Sequence, residues 1–489
     1  MRKAVMVRQS ISSIITDLGA NDPDRVVVID EDGSFTAAEL DDAATRLAHA
    51  LRARGVVHDD LVIVSLPNGR DFVIACAAIW KAGATPEPVA LTLTDDERAE
   101  VERISRPAAA IGVRPRTAGI EWFETVQAPP NPHTLPDLAA ASWKAPTSSG
   151  STGNPKVVRS TAPALLDPTR PVADFLPLRA TQLVSGPMAH SATFTYAFRG
   201  LLTGHRLVIL PRFDERAWLD GVQQHRVTWA LVVPTMMHRL LRVPSAERGP
   251  DRVASVESLL HMGAPCAPDL KRAFLEWVGA ERVVEVYAGS ESNGLTMIRG
   301  DEWLVHPGSV GRPIGSTEVQ IRSGSGQAQP VGSVGLVWMR RGERSSYEYV
   351  GADSRRDVAG WDTLGDLGRI DEDGYLYLVD REDDVINRGG EKIYPTEVER
   401  VLEAHPAVRS AVAFGVADEA LGQKIGAVVD IGDATVDRDA VMAWAKARLG
   451  PRAPASIELV TEPVRNDAGK TSRRRWSLRS VAGRPVTDT

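Results

Sequence analysis

Thr147-Ser148-Ser149-Gly150-Ser151-Thr152-Gly153-Asn154-Pro155-Lys156 is the stretch on which the reading of this 489-residue chain turns. Hydroxyls and glycines are interspersed, and a lysine follows. Glycine lets a backbone approach an anion closely and turn its N–H groups toward it. The hydroxyls add donors and Lys156 adds charge, so the stretch suits the terminal phosphates of a nucleotide. It is not the GxxxxGK[ST] loop, because the lysine follows Pro155 and no Ser or Thr follows it. Its composition alone also fits a flexible linker, so its meaning depends on what lies on either side.

Upstream, Thr36 and Glu39 form a capping box. Leu40, Ala43, Ala44, Leu47, Ala50 and Leu51 then recur at helical spacing, and Gly55 supplies a stop. Residues 61–66 are apolar and rich in β-branched side chains, as in a buried strand. Residues 72–81 resume a helical pattern that ends at Gly83. Strand and helix alternate in this way as far as Leu231-Val232-Val233, which predicts α/β layers on largely parallel sheets. Residues 129–146, rich in Pro and Ala, read as an exposed connection, and 322–330 as a hairpin-like loop. From Gly335 the pattern changes to short strands, such as 375–378 after the turn pair Asp373-Gly374. From about Asp383 a smaller unit follows, with helices over 395–405 and 438–449 and strands over 411–416 and 457–459.

Downstream of the loop, four further groups carry chemistry. Val286-Tyr287-Ala288-Gly289-Ser290-Glu291 sets an aromatic ring, a small-residue turn and a carboxylate after a buried strand; the ring suits a base and the carboxylate suits Mg²⁺. Gly365-Asp366-Leu367-Gly368 holds a carboxylate in a tight turn, which suits a ribose diol and equally an ordinary turn aspartate. Asp380-Arg381-Glu382-Asp383-Asp384 and the following Arg388 to Glu399 form a charged linker feeding a helix. Asn466-Asp467-Ala468-Gly469-Lys470-Thr471 puts one lysine after a glycine turn.

In order and spacing these five groups resemble the superfamily of acyl-CoA synthetases, adenylation domains of peptide synthetases and firefly luciferase. The likeness runs from about Phe35 to Arg474. It includes Lys81-Ala82-Gly83-Ala84 and Gly308-Ser309-Val310-Gly311-Arg312-Pro313, and it is greatest toward bacterial acid–CoA ligases. It implies ATP and Mg²⁺ as reagents and CoA as co-substrate. Thr147, Ser148, Ser149, Gly150, Ser151, Thr152, Gly153 and Lys156 would hold the pyrophosphate end of ATP. Tyr287 would lie against adenine with Gly263-Ala264-Pro265 on the other side, Ser290 nearby, and Glu291 on Mg²⁺. Asp366, helped by Arg381, would take the ribose. Lys470 would be the catalytic lysine, and His190 the aromatic gate beside the substrate carboxylate. Ala189, His190, Thr235, Met262, Ala288 and Gly289 would shape the substrate pocket. Asp383 would be a hinge, and Gly389-Gly390 would line the tunnel for the acceptor thiol.

The implied architecture is α/β. Residues 1–381 form a large N-terminal adenylation domain of layered mixed sheets and helices, and residues 382–489 a small mobile α+β domain carrying the lysine. The implied reaction is adenylation of a small carboxylic acid followed by transfer to CoA. Loading of a carrier protein, or activation of nitrite to diazotise an aryl amine, are the alternatives. Ser149, Ala288, Ser290 and Ala189 depart from the family's usual residues, and Leu449-Gly450-Pro451-Arg452-Ala453-Pro454 lacks its usual Tyr-Lys pair. These departures fall on the substrate pocket and the acceptor step.

A net charge of −7 argues against a general nucleic-acid binder. Cys76 and Cys266 have no metal-ligand spacing and read as buried thiols. No apolar run is long enough to span a bilayer. The N-terminus, broken by Arg8, Gln9 and Asp17, reads as an amphipathic first helix rather than a signal peptide. A cytoplasmic enzyme is the expectation.

Overall fold

The computed structural model describes residues 8–149, 155–466 and 469–482. It is a mixed α/β protein with a large N-terminal and a smaller C-terminal domain. The large unit is built on two sheets with mainly parallel cores. One has nine strands, in which the parallel strands Thr181–Val184, Arg206–Ile209, Trp229–Val232, Ser258–His261 and Val283–Ala288 lie side by side. The other has four, centred on the strand Leu61–Ser65, every residue of which is buried. Burial on both faces accounts for the unbroken apolar run in that strand. Helices Ala37–Ala53, Arg70–Lys81 and Ser191–Leu202 fill the space between, around a cluster that includes Phe72, Trp80, Phe194 and Phe198.

The Thr36–Glu39 capping box forms as expected: the Thr36 hydroxyl accepts from the Glu39 N–H, and Glu39 accepts from the Thr36 N–H at 2.7 Å. The first helix is shorter than expected. It covers Ile11–Asn21 and is capped by Ser10, because Gln9–Ser10 is drawn into strand pairing with Leu165–Leu166. The Pro-rich connection is exposed only in its first half. Ala140, Ser142, Trp143, Lys144 and Ala145 are buried, anchored by the Trp80 indole donating to Trp143 O at 2.9 Å. Cys76 is buried, whereas Cys266 is only half-buried.

The smaller unit closes on its own core of Ile386, Val398, Leu402, Val441 and Ile457, among others. Its sheet runs Glu391–Ile393, Ile386–Arg388, Gly422–Asp430 and Ser410–Asp418, with Ser456–Val460 pairing parallel to Gly422–Asp430. The central strand Gly422–Asp430 and the hairpin before it carry no alternating pattern, and the sequence reading passes over them. The helix expected over 395–405 is Pro395–Glu403.

Candidate active site

The two described ends of the decisive stretch pair as a β-hairpin. Thr147–Ser149 pairs antiparallel with Pro155–Ser160, with Thr147 opposite Val157 and Ser148 opposite Lys156. Gly150, Ser151, Thr152 and Gly153 lie outside the described residues. The hairpin base is held by the Thr147 hydroxyl, which donates to Pro88 O at 3.0 Å. A third strand, Tyr347–Val350, pairs with Pro155–Ser160. It brings Tyr349 under Lys156, whose Nζ lies 4.9 Å from the ring centroid. The Tyr349 hydroxyl in turn donates to Glu291 Oε1 at 2.7 Å. Lys156 and Glu291, far apart in sequence, are thus linked through one phenol. That strand came from outside every motif, so its two tyrosines were not among the expected site residues.

Tyr287 leaves the end of the strand Val283–Ala288 with its hydroxyl donating to Asp366 Oδ2 at 2.6 Å. Arg381 Nε donates to Asp366 Oδ1 at 3.2 Å. Asp366 and Arg381 are direct partners across adjacent antiparallel strands, so the pairing register alone sets this clasp. Burial, then the Asp366 charge, hold the Tyr287 phenol well above its ordinary pKa, and it stays a donor. Ala288, Gly289 and Ser290 form the half-buried turn that follows. A Cβ on Gly289 would stand 2.6 Å from Leu364 Cδ1 and 2.7 Å from Glu291 Oε2, so a larger residue there would displace the ends of those side chains.

His190 caps the Ser191–Leu202 helix, its Nδ1 facing the Ala192 N–H at 3.4 Å. Nδ1 is an acceptor there, so the neutral ring carries its proton on Nε2. Burial, then the charges of Lys470 and Lys144, push its pKa down to about 3. The loop before it is fastened by Asn68, which accepts from the Met188 N–H at 2.8 Å and donates to Gly186 O at 2.9 Å. Ala189 packs at the edge of the main core. Thr235 opens the helix Pro234–Arg242, and Met262 is buried just after the strand Ser258–His261.

Lys470 reaches this site from the small unit. Asn466 organises its turn: Asn466 Oδ1 accepts from the Lys470 N–H at 2.9 Å, and Asn466 O accepts from Gly469 N at 2.7 Å. Gly469 has φ +74, and a Cβ there would stand 3.4 Å from Ala264 and 3.7 Å from Thr235 Oγ1. The lysine turn therefore sits against the Gly263-Ala264-Pro265 segment, and Gly263 itself has φ +93. Burial, then the Arg381 charge, lower the Lys470 pKa, and Glu291 opposes them. Lys470 thus feels the charges of Arg381 and Glu291, and His190 feels that of Lys470.

Asp383 lies exposed in the single turn Glu382–Asp384. Gly389 and Gly390, with φ +57 and +86, form the exposed turn of the hairpin between Ile386–Arg388 and Glu391–Ile393, on the small unit. Among the described residues no group of three or more His, Cys, Asp or Glu side chains can chelate a metal unaided. A lone carboxylate such as Glu291 fits Mg²⁺, which is commonly held by one or two carboxylates plus substrate phosphates and water.

The large unit thus carries a phenol–carboxylate–arginine clasp, and the small unit sets a lysine turn against the 263–265 segment. The chain belongs to the AMP-binding enzyme family: residues 16–344 match it, and residues 397–470 match its C-terminal domain. It is 32% identical over 463 residues to a feruloyl-CoA synthase of Amycolatopsis, covering 89% of this chain and 92% of that one. It is 29% identical over 484 residues to 2-succinylbenzoate–CoA ligase of Bacillus licheniformis, covering 92% and 96%. Its fold is that of the amide bond synthetase McbA of Marinactinospora thermotolerans, at TM-score 0.77 and 24% identity over 96% of this chain and 99% of that one. The o-succinylbenzoate CoA synthetase of Bacillus subtilis with its acyl-adenylate gives TM-score 0.79 at 24% identity, covering 96% and 98%. This chain is an AMP-forming ligase of the acid–CoA ligase type. No helix among the described residues is long and apolar enough to cross a membrane.

Proposed function

We propose that the chain adenylates a small carboxylic acid with ATP, releases pyrophosphate, and passes the acyl group to the thiol of CoA in the cytoplasm. The observation that carries the reading is the Lys470 turn seated on the 263–265 segment, its charge felt by His190 and opposed by Glu291. In this reading Tyr287 and 263–265 flank adenine, Asp366 and Arg381 take the ribose hydroxyls, and the hairpin tip with Lys156 takes the β- and γ-phosphates. Glu291 would hold Mg²⁺, which supplies charge neutralisation on the phosphates. An acid already ionised needs no general base. Its oxygen attacks the α-phosphorus in line, the bond to the bridging oxygen breaks, and pyrophosphate leaves. Two anions must meet, so Lys470 acts by screening and aligning them. His190, neutral with Nε2–H outward, can donate to the acid without adding charge.

The units described above suggest domains at 1–381 and 382–489. Rotation about Asp383 would exchange the Lys470 turn for the Gly389-Gly390 turn before thiol attack. The test is pyrophosphate release with a panel of acids and nitrite, followed by mass spectrometry of products formed with CoA, a carrier protein or an aryl amine. Acyl-CoA is the expected product. Accumulation of acyl-AMP in the presence of CoA, with turnover restored by another acceptor, would overturn the CoA step.

A further inference from the structure

Trp143 and Lys144 belong to the buried half of the segment leading into the phosphate hairpin. Lys144 is 4% exposed. Its Nζ donates to Ser191 Oγ at 3.0 Å and Thr195 Oγ1 at 2.6 Å. Those hydroxyls stand one turn apart on one face of the Ser191–Leu202 helix, immediately after His190. The next position on that face is Arg199. Its guanidinium carbon lies 4.2 Å from the Trp143 ring centroid, and Lys144 Nζ lies 5.2 Å from the same ring.

Two cations therefore share one indole, and among the described residues neither has a carboxylate within ion-pair distance. The other charges that Arg199 feels are those of Arg8 and Arg341, both positive. The one anion that Lys144 feels is Glu291, which is hydrogen-bonded to Tyr349 and, in the reading above, engaged by Mg²⁺. Burial, then Arg199, bring the Lys144 pKa down to about 7. An unpaired buried charge costs several kcal/mol, and this pair, set one and two turns along the helix that His190 caps, has no counter-ion among the described residues. The adjacent helix face, with Ala192 and Tyr196, is instead packed against Phe175, Trp229 and Met262.

We propose that Lys144 and Arg199, both set against Trp143, form a subsite for a second anionic group of the substrate, distal to the carboxylate that is activated. The proposal rests on the acid-adenylation reading. The favoured substrate is then a small diacid.

The test compares glutarate, adipate and terephthalate, each against its monomethyl ester, by pyrophosphate release in wild type, Lys144→Met, Lys144→Arg and Arg199→Met. Wild type should prefer at least one diacid over its ester by roughly 100-fold in kcat/KM, the scale of a buried charge-assisted contact. Lys144→Met and Arg199→Met should collapse that ratio, and Lys144→Arg should retain most of it. Thermal unfolding of each variant checks that it is folded, and Lys144→Arg and Arg199→Met keep the test open should Lys144→Met not fold. Equal use of diacids and esters, or activity confined to acids with one anionic group, overturns the subsite alone. So does an unchanged ratio with a raised KM for ATP, which would put the pair on the phosphates. Release with nitrite and with no acid overturns the acid reading, and the subsite with it.

Discussion

At the scale of single residues, the clearest division of labour in the proposed reaction is between side chains of the large unit assigned to the nucleotide and the lysine that arrives from the small one. Lys470 is held by the turn at Asn466, whose Gly469 sits beside Ala264 and Thr235. In the proposed reaction its contribution belongs to the transition state, where charge shifts onto the leaving pyrophosphate. Lys470→Ala should slow pyrophosphate release roughly 100- to 1,000-fold while ATP still binds by calorimetry with little change. Loss of ATP binding in equal measure would make it a ground-state ligand instead. A second residue makes a prediction about pH. Glu87 is fully buried in the strand Thr85–Pro88, and neither carboxyl oxygen has a hydrogen-bond partner among the described residues. The Ser105 hydroxyl spends its proton on Val101 O at 2.9 Å. Burial raises the Glu87 pKa from 4.5 to about 8. The folded state then binds that proton more tightly than the unfolded chain. Stability from this group is complete below pH 4.5 and is lost as pH rises toward 8. Glu87→Gln should flatten that part of the profile. Parallel melting curves for the two proteins between pH 5 and pH 8 would refute the assignment.

At the scale of elements, site residues are placed by strand ends, and strand ends are fixed by what packs behind them. The strand Val283–Ala288 delivers Tyr287, and its buried Glu285 is paired with Lys271 from the helix Pro268–Val278. His261, from the neighbouring strand, lies 3.6 Å from the same carboxylate and is held neutral by burial. Lys271 also lies 4.7 Å from the Trp303 ring centroid. Lys271→Met leaves Glu285 buried without its partner and should cost about 3–5 kcal/mol of stability, read by denaturant unfolding. Lys271→Met with Glu285→Gln should recover much of it. Much of this scale was legible in the sequence. The Thr36–Glu39 box, the 61–66 run and the Asp373-Gly374 turn are local signals, and they form as local physics dictates. Asp366 of the Gly365-Asp366 turn also meets Tyr287 and Arg381, two residues that the sequence reading sets beside it. The strand Tyr347–Val350 was not legible, because its value lies in pairing with a distant strand. Nor were Trp143 and Lys144, because a Pro- and Ala-rich composition suggests solvent, and only a distant helix covers them.

At the scale of the whole molecule, polar contacts join the two units on either side of the linker, apart from the lysine turn. Asp380, at the end of the large unit, accepts from the Thr396 N–H at 2.8 Å and so caps the first helix of the small one. Arg473 binds Asp384 at 2.6 Å and Glu399 at 2.9 Å, tying the far side of the linker to the small unit. Asp383 lies between these two anchors, exposed, and its one ion-pair contact among the described residues is Arg355 at 4.0 Å. A residue flanked by fixed points and itself unfixed is where rotation concentrates. Asp383→Pro fixes φ there. It should change adenylate formation and acyl transfer by very different factors in single turnovers. Equal slowing of both steps would make Asp383 an ordinary linker residue.

The separate core of the small unit has a further consequence for how such a protein can be taken apart. Ile386, Val398, Val441 and Ile457 bury one another rather than the large unit, so severing the chain near Arg381 exposes little that was dry. Two halves made as separate polypeptides should each fold and then work in trans, with a rate that rises with the concentration of the smaller half. A covalent joint that is dispensable for structure makes the lysine-bearing half an interchangeable part, open to replacement between chains with different pockets.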